Sequence, residues 1–458
     1  MLAFLCVLSA SVRTLCSKLF LSFSVTKKVH YNALFDLLTP PSSFKIAHPN
    51  ITRCILPSML DLDCLAEFDA SRDADFFSAL PASPAVVRIE PRADFSDARP
   101  YLIRTADLRA RMKRLLASRN DADDPAEARR LHLRDFAGAI KYRVTGSPFE
   151  QSIVMWLAAR ELDPRGYHQR LRMRWPALLK INLTNAYPRC YVTRRIRTDE
   201  NGIPSGGFYF GPFPSRRAAD AFSSEFLNLF KIRRCQIKIR RDPTFPGCIY
   251  SEMKMCLAPC FAGCSAEEYA HETERVVNFL SSGGESLSAD LETEREAASV
   301  ALDFERAAAL HKRLEKVAEV LRGLPELSRR IEELDAVILQ RAVAAESVQV
   351  FVVRGGRIAD FFALRFSQTS KPGSVEEALR ERLGGTVTES SPVAKIPAEP
   401  LADHLALLAR WFYSKPRAGE IFYRDGDWPY RRLIRACGRV LAGKTTGESG
   451  EAGAEKKE

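Results

Sequence analysis

The sequence predicts a multidomain α+β protein, and three observations predict it. The chain has 458 residues, too many for one ordinary core, so about two to four domains are expected. Along the chain, blocks of mixed strand and helix pattern at 59–184 and 330–442 are separated by an almost wholly helical stretch, as in a multidomain α+β architecture. Its cysteines are concentrated in one short stretch between those blocks. A hydrophobic content of 46% and a charged content of 27% match globular averages and argue against general disorder.

Residues 1–58 open with an apolar run, Leu2 to Ala10, that is too short to span a bilayer, and Arg13 and Lys18 interrupt any longer one. No Lys or Arg precedes the run, so it lacks the positive n-region of a secretory signal. The segment is read as a doubtful extension, with translation expected to start near Met59 and the protein expected in the cytoplasm, away from any membrane. Residues 59–184 carry mixed α/β sequence, with strands expected at Ala85 to Ile89 and Pro100 to Arg104. Helices are expected there from Asp107 to Ser118 and from Phe149 to Leu162. Residues 185–265 are basic, aromatic and cysteine-bearing, and 266–325 read as helices almost throughout. Over 330–442 an α/β pattern returns, with a hairpin turning at Arg354-Gly355-Gly356-Arg357. Residues 443–458 are a polar tail with nothing to bury. No repeat of solenoid length is evident.

The formal charge of +11 favours a polyanion partner, because neutralising phosphates releases counterions; a solvated basic surface is the plainer alternative. Between residues 189 and 241 arginines dominate, among them Arg194, Arg195, Arg216, Arg217, Arg233 and Arg234, with Tyr187, Tyr191, Phe208, Tyr209, Phe210 and Phe213 interleaved. Guanidinium groups clamp phosphates and aromatic faces stack on bases. The aromatics serve equally as core, and that is the reading preferred for them; the arginines are read as a DNA surface.

Of eleven cysteines, Cys235, Cys248, Cys256, Cys260 and Cys264 fall in one short run. Clustered thiolates repel unless a cation or cluster neutralises them. The spacing suits iron–sulfur or zinc, and the absence of paired Cys-x2-Cys knuckles favours iron–sulfur.

Residues 285–323 read as a helical hairpin. In its second half Phe304, Ala307, Ala308, His311, Leu314, Ala318 and Leu321 recur at three- and four-residue steps, one helix face. One side of the hairpin is left spare for a partner, or the hairpin simply joins domains.

Several motifs together resemble the excinuclease C family. Tyr209-Phe210-Gly211-Pro212-Phe213, Ile232-Arg233-Arg234-Cys235 and Cys256-Leu257-Ala258-Pro259-Cys260 stand in the family's order, and AYPRCYVTRRI (186–196) fits ahead of them. The resemblance implies that Cys235, Cys248, Cys256 and Cys260 hold an iron–sulfur cluster, with Cys264 a bystander. Leu302 to Ala308 is similar to the UVR motif, through which excinuclease subunits B and C associate. This implies a UvrB-like partner contacted by Phe304, Glu305, Ala307 and Ala308. His311-Lys312 stands where the motif usually has Arg-Asp.

In that family a GIY-YIG nuclease precedes the basic stretch. Ala85-Val86-Val87 and Tyr101-Leu102-Ile103 are its nearest matches here, and Tyr101, Arg104 and Arg111 match active-site residue types. Val87 replaces a tyrosine, and Met155 stands where the metal-binding glutamate belongs. A thioether is a poor ligand for magnesium. The module is read as degenerate, and magnesium would be needed only if it were active. Asp360, Asp403 and His404 are too few and too oddly spaced to nominate as a second nuclease, so the last α/β domain is expected to be truncated. The resulting expectation is a DNA-binding excision-repair protein with impaired nuclease activity. Its alternatives are an active single-incision endonuclease and a zinc-binding nucleic-acid scaffold outside repair.

Overall fold

Among the described residues, runs of β-branched and aromatic residues set three antiparallel four-stranded sheets, and helices cover them. The computed structural model describes residues 62–95, 97–118, 131–366, 372–384 and 400–443, all within one unit, Asn50–Glu458. The N-terminal extension, the expected start at Met59 and residues 444–458 of the tail lie outside the described residues.

In the first sheet, β1 (Cys64–Glu67) is followed by helix α1 (Asp73–Ala79), β2 (Ala85–Pro91), β3 (Tyr101–Thr105), α2 (Leu108–Leu116), β4 (Ala137–Val144) and α3 (Pro148–Leu162). The strand order is β1-β4-β2-β3. Side chains alternate across a strand, so Val87, Ile89 and Tyr142 meet Leu108 and Met112 of α2 on one face. Val86 and Leu102 meet α3 on the other. Both helices start on oxygen caps, Asp107 accepting from Ala110 N–H and Ser147 from Glu150 N–H.

After the short α4 (Tyr167–Arg170) comes the second sheet, of β5 (Ala177–Ile181), β6 (Cys190–Thr193) and β7 (Phe208–Phe213), closed later by β8 (Arg329–Arg330) in the order β6-β5-β7-β8. The apolar β5 pairs with β6 and β7, so this sheet starts upstream of the 184/185 boundary that composition suggested. The strand ALLKI is like the upstream segment in composition, and only its hydrogen bonds assign it to the second sheet. Phe208, Tyr209, Phe210 and Phe213 are buried, so these aromatics are core and present no faces to bases. The two faces of the sheet belong to different cores. Leu178 and Tyr209 turn toward α3, while Leu179, Phe208 and Phe210 face α5 (Arg216–Leu227) and the helices beyond.

Downstream of the one-turn α6 (Ile249–Glu252) lie three helices: α7 (Ala266–Ser281), α8 (Glu285–Val300) and α9 (Phe304–Arg322). Helices α8 and α9 form a hairpin whose seam holds Leu287, Leu291, Ala298, Leu310, Val317 and Val320. The seam corrects the expected face of α9. Ala307, Leu314 and Leu321 pack inward as the spacing suggested, but Phe304, Ala308, His311 and Ala318 are exposed. The bulkier stripe through Leu310 and Val317 covers more apolar area and takes the core.

The third sheet contains β9 (Ala336–Arg341), β10 (Ser347–Arg354), β11 (Arg357–Arg365) and β12 (Glu420–Tyr423) in the order β11-β10-β9-β12, with α10 (Pro372–Gly384), α11 (Leu401–Phe412) and α12 (Tyr430–Leu441). Arg354 pairs with Arg357 across Gly355 and Gly356, at φ 53° and 75°. This is a two-residue turn that needs positive φ at both centres. Helix α11 packs on α3, so one core runs from Val86 through Trp156 to Leu405 and Trp411. Its polar centre is Asp403, fully buried, which accepts hydrogen bonds from Trp156 Nε1, Tyr167 Oη and Trp175 Nε1 and pairs with His168 Nε2.

Candidate metal centre and its basic surround

The chain between α5 and α7 has little regular structure and is organised by side chains. Arg233 is its hub. Only 4% exposed, it donates from Nε to Tyr187 O at 2.8 Å and from Nη1 to Ile237 O at 2.9 Å, and Nη1 stands 3.9 Å from Cys235 Sγ. Its backbone N–H donates to Tyr269 Oη of α7, which in turn donates to Pro188 O. The second wall is fixed by Leu257 N–H to Lys231 O and Asp242 N–H to Cys260 O, both 2.9 Å. Left-handed backbone at Lys254, Ala258 and Ala262 curls the 248–264 segment into tight turns.

Within this frame Cys248 caps α6, with Ser251 Oγ 3.9 Å from its sulfur. Cys256 Sγ accepts from Ala258 N–H at 3.3 Å, and Cys260 lies buried in the next turn. Burial pushes the Cys256 thiol up to about 11, and the neighbouring Cys235, Cys248 and Cys260 add to the shift. Cys260 is raised by burial and, less strongly, by Cys248 and Cys235. The four thiols are thus neighbours in space, none in a disulfide. Among the described residues no three His, Cys, Asp or Glu side chains stand in a metal-holding arrangement, so the sulfurs are near one another without forming a closed ligand set. The donor chemistry fits a thiophilic metal or cluster. Four sulfurs share one neighbourhood, and an N–H is already aimed at one of them, which favours the thiolate form. Cys264 instead belongs to the hydrophobic core under α7.

The basic residues divide. Arg194, Arg195, Arg216 and Arg217 are exposed, as a DNA surface requires. Arg234 is half-buried and donates to Asn228 Oδ1 at 2.9 Å. Arg233, expected to touch DNA, is withdrawn from the surface because its guanidinium satisfies backbone carbonyls of the cysteine segment. Sequence reasoning missed that role; a basic residue in an Ile-Arg-Arg-Cys run gives no sign of which arginine turns inward.

At the hairpin tip Val300, Leu302 and Phe304 are 85%, 72% and 67% exposed. Asp303 caps α9 by accepting from Arg306 N–H. Glu305 and Ala308 are exposed and Ala307 is half-buried. The four residues singled out for partner contact therefore lie at or beside an uncovered apolar tip.

The nuclease candidates are less well gathered. Tyr101 and Arg104 are three apart on β3, which sends them to opposite faces. Tyr101 lies with the α2 core, while Arg104 is exposed and close enough to Arg410 to act on its charge. Arg111 sits on α2 with a buried Nε that has no hydrogen-bond partner. Val87 is fully buried and Met155 packs at the edge of the α3 core. Glu150 accepts from Gly146 N–H at 2.8 Å, and Glu161 pairs with Arg88 at 3.1 Å.

Comparison with known proteins adds to this geometry. Residues 177–279 match the family model described as the UvrC/Cho excinuclease, middle domain, a span that starts at β5 and takes in all four cysteines. Over this span the chain is similar to the UvrC family. It is 28% identical to the UvrABC system protein C of Moorella thermoacetica over 75% of this chain and 54% of that protein. With the protein of the same name from Carboxydothermus hydrogenoformans it shares 31% identity over 50% and 37%. With that from Dehalococcoides mccartyi strain BAV1 it shares 27% over 63% and 46%. The chain thus spans about half, or less, of these UvrC relatives. No solved structure matches it. No described helix is long and apolar enough to cross a membrane.

Proposed function

We propose that this chain is a DNA-binding protein of nucleotide excision repair, residing in the cytoplasm, that associates with a UvrB-like subunit and has impaired nuclease activity. The observation that carries the reading is the shared neighbourhood of Cys235, Cys248, Cys256 and Cys260, built into a segment flanked by exposed arginines. An iron–sulfur cluster held by these thiols, with zinc as the alternative, would tie the loops between α5 and α7 together. It would present the basic surface as a rigid unit. Arg194, Arg195, Arg216 and Arg217 then hold the DNA backbone with little sequence preference. The tip at Phe304 serves the partner subunit, because a helix pair with an uncovered apolar end suits docking against another helix.

Nuclease impairment is supported by the separation of Tyr101 from Arg104 and by Met155 and Val87 standing where hard-oxygen and phenolic groups would be needed. The test is nicking of lesion-bearing duplex by the purified chain with UvrB and magnesium. DNA and UvrB binding without incision is the expected result. Magnesium-dependent nicking abolished by Tyr101→Phe would replace this function with that of an active single-incision endonuclease.

A further inference from the structure

A cavity of about 450 Å³ opens between the end of α5, the cysteine segment and the α8–α9 hairpin. Five cations line it: Lys231, Arg234, Lys254, Arg313 and Lys316. No carboxylate lines it among the described residues. They arrive from three separate places. Lys231 and Arg234 lie just beyond α5, Lys254 is carried on a left-handed turn at φ 55°, and Arg313 and Lys316 stand three apart on one face of α9. Like charges brought together without a counter-charge repel one another, so the fold holds an arrangement that an anion would relieve.

A second observation points the same way. Arg234 Nε is buried and has no hydrogen-bond partner, while the same guanidinium satisfies Nη2 on Asn228. An unmet buried donor inside a cationic recess is the imprint of an acceptor that binds there. The floor is apolar, formed by Leu287, Leu291 and Val317, with Met253 exposed at the rim. Apolar ground beside concentrated positive charge suits a phosphodiester with its sugar and base better than a bare anion.

We infer that this cavity takes one nucleotide unit of a single nucleic-acid strand, its phosphate held by Arg234, Arg313 and Lys316. The inference rests on the DNA-binding reading and deepens it by naming where the strand is gripped. It also couples the hairpin to the cysteine segment, because the bound phosphate is clamped from both sides. A strand is favoured over an acidic peptide because Arg194, Arg195, Arg216 and Arg217, within the same 177–279 span, are also exposed and offer a polyanion of repeating charge further points of contact.

The experiment uses the full chain with a fluorescently labelled single-stranded oligonucleotide, titrated over a salt series. The variants are R313Q/K316Q, both on the exposed side of α9, and R194Q/R195Q on the open surface. The expected result is that R313Q/K316Q weakens binding about tenfold and flattens the salt dependence by about 0.7, the share of the one phosphate held there. If R313Q/K316Q binds like the wild type with the same slope while R194Q/R195Q weakens, the cavity assignment falls and the DNA reading stands. If the wild type binds no DNA, both fall. Should R313Q/K316Q lose binding of a glutamate-rich peptide and keep its DNA affinity, the cavity serves an acidic protein segment and the inference is overturned.

Discussion

Arg233 and Asp403 show how single buried charges organise this chain. Arg233 holds the carbonyls of residues 187 and 237 in register beside Cys235, so Arg233→Met removes charge-assisted hydrogen bonds at a nearly solvent-free site. A loss of about 3 kcal/mol is expected, read as a lower denaturation midpoint together with reduced metal content; unchanged metal content would limit the residue to packing. For Asp403, burial alone would raise the carboxyl, but hydrogen bonds from Tyr167, Trp175 and His168 and the charge of His168 hold it below its ordinary value. Its stabilisation is therefore complete above the unfolded value of about 3.9 and fades as pH falls through the lower folded value. Asp403→Asn is expected to cost about 3 kcal/mol at neutral pH, and its gap from the wild type should narrow in denaturation curves taken near pH 3. Little of this was legible in the sequence. Asp403 looked like a stray acid, since its partners lie more than two hundred positions away and no periodicity links them.

Element by element, more could be read in advance. The strand at Ala85, the helix expected from Asp107, the helix ending at Leu162 and the Gly355-Gly356 turn obey local rules of alternation, helical spacing and positive φ. The helix face of α9 did not, because two apolar stripes share its spacing and only tertiary packing chooses between them. That choice separates stability from recognition. Leu310→Ala, at the hairpin seam, is expected to destabilise by about 2–4 kcal/mol. Phe304→Ser, at the exposed tip, should leave the denaturation midpoint within about 0.5 kcal/mol of wild type. The same change should weaken association with UvrB at least tenfold in a calorimetric titration. Equal binding by Phe304→Ser would move the partner surface elsewhere on the hairpin.

For the whole molecule, the middle sheet stands between two cores, with α3 and α11 on one face and the helical hairpin on the other. This arrangement was hidden in the sequence, where composition marked off blocks but could not show that α3 and α11 share a core. The cysteines stood out more plainly, since their crowding in one stretch is visible without the fold, and in the structure Cys235, Cys248 and Cys260 are close enough to act on the charge of Cys256. The proposal that the basic surface is presented to DNA as a rigid unit depends on a metal or cluster filling that neighbourhood. Its most direct test is iron, zinc and acid-labile sulfide analysis, with a visible absorption spectrum, on anaerobically purified wild type and Cys256→Ser. A filled centre predicts a coloured wild type containing iron and sulfide, and a Cys256→Ser variant that loses most of both. A colourless wild type without bound iron or zinc, or equal metal in the two proteins, would contradict it.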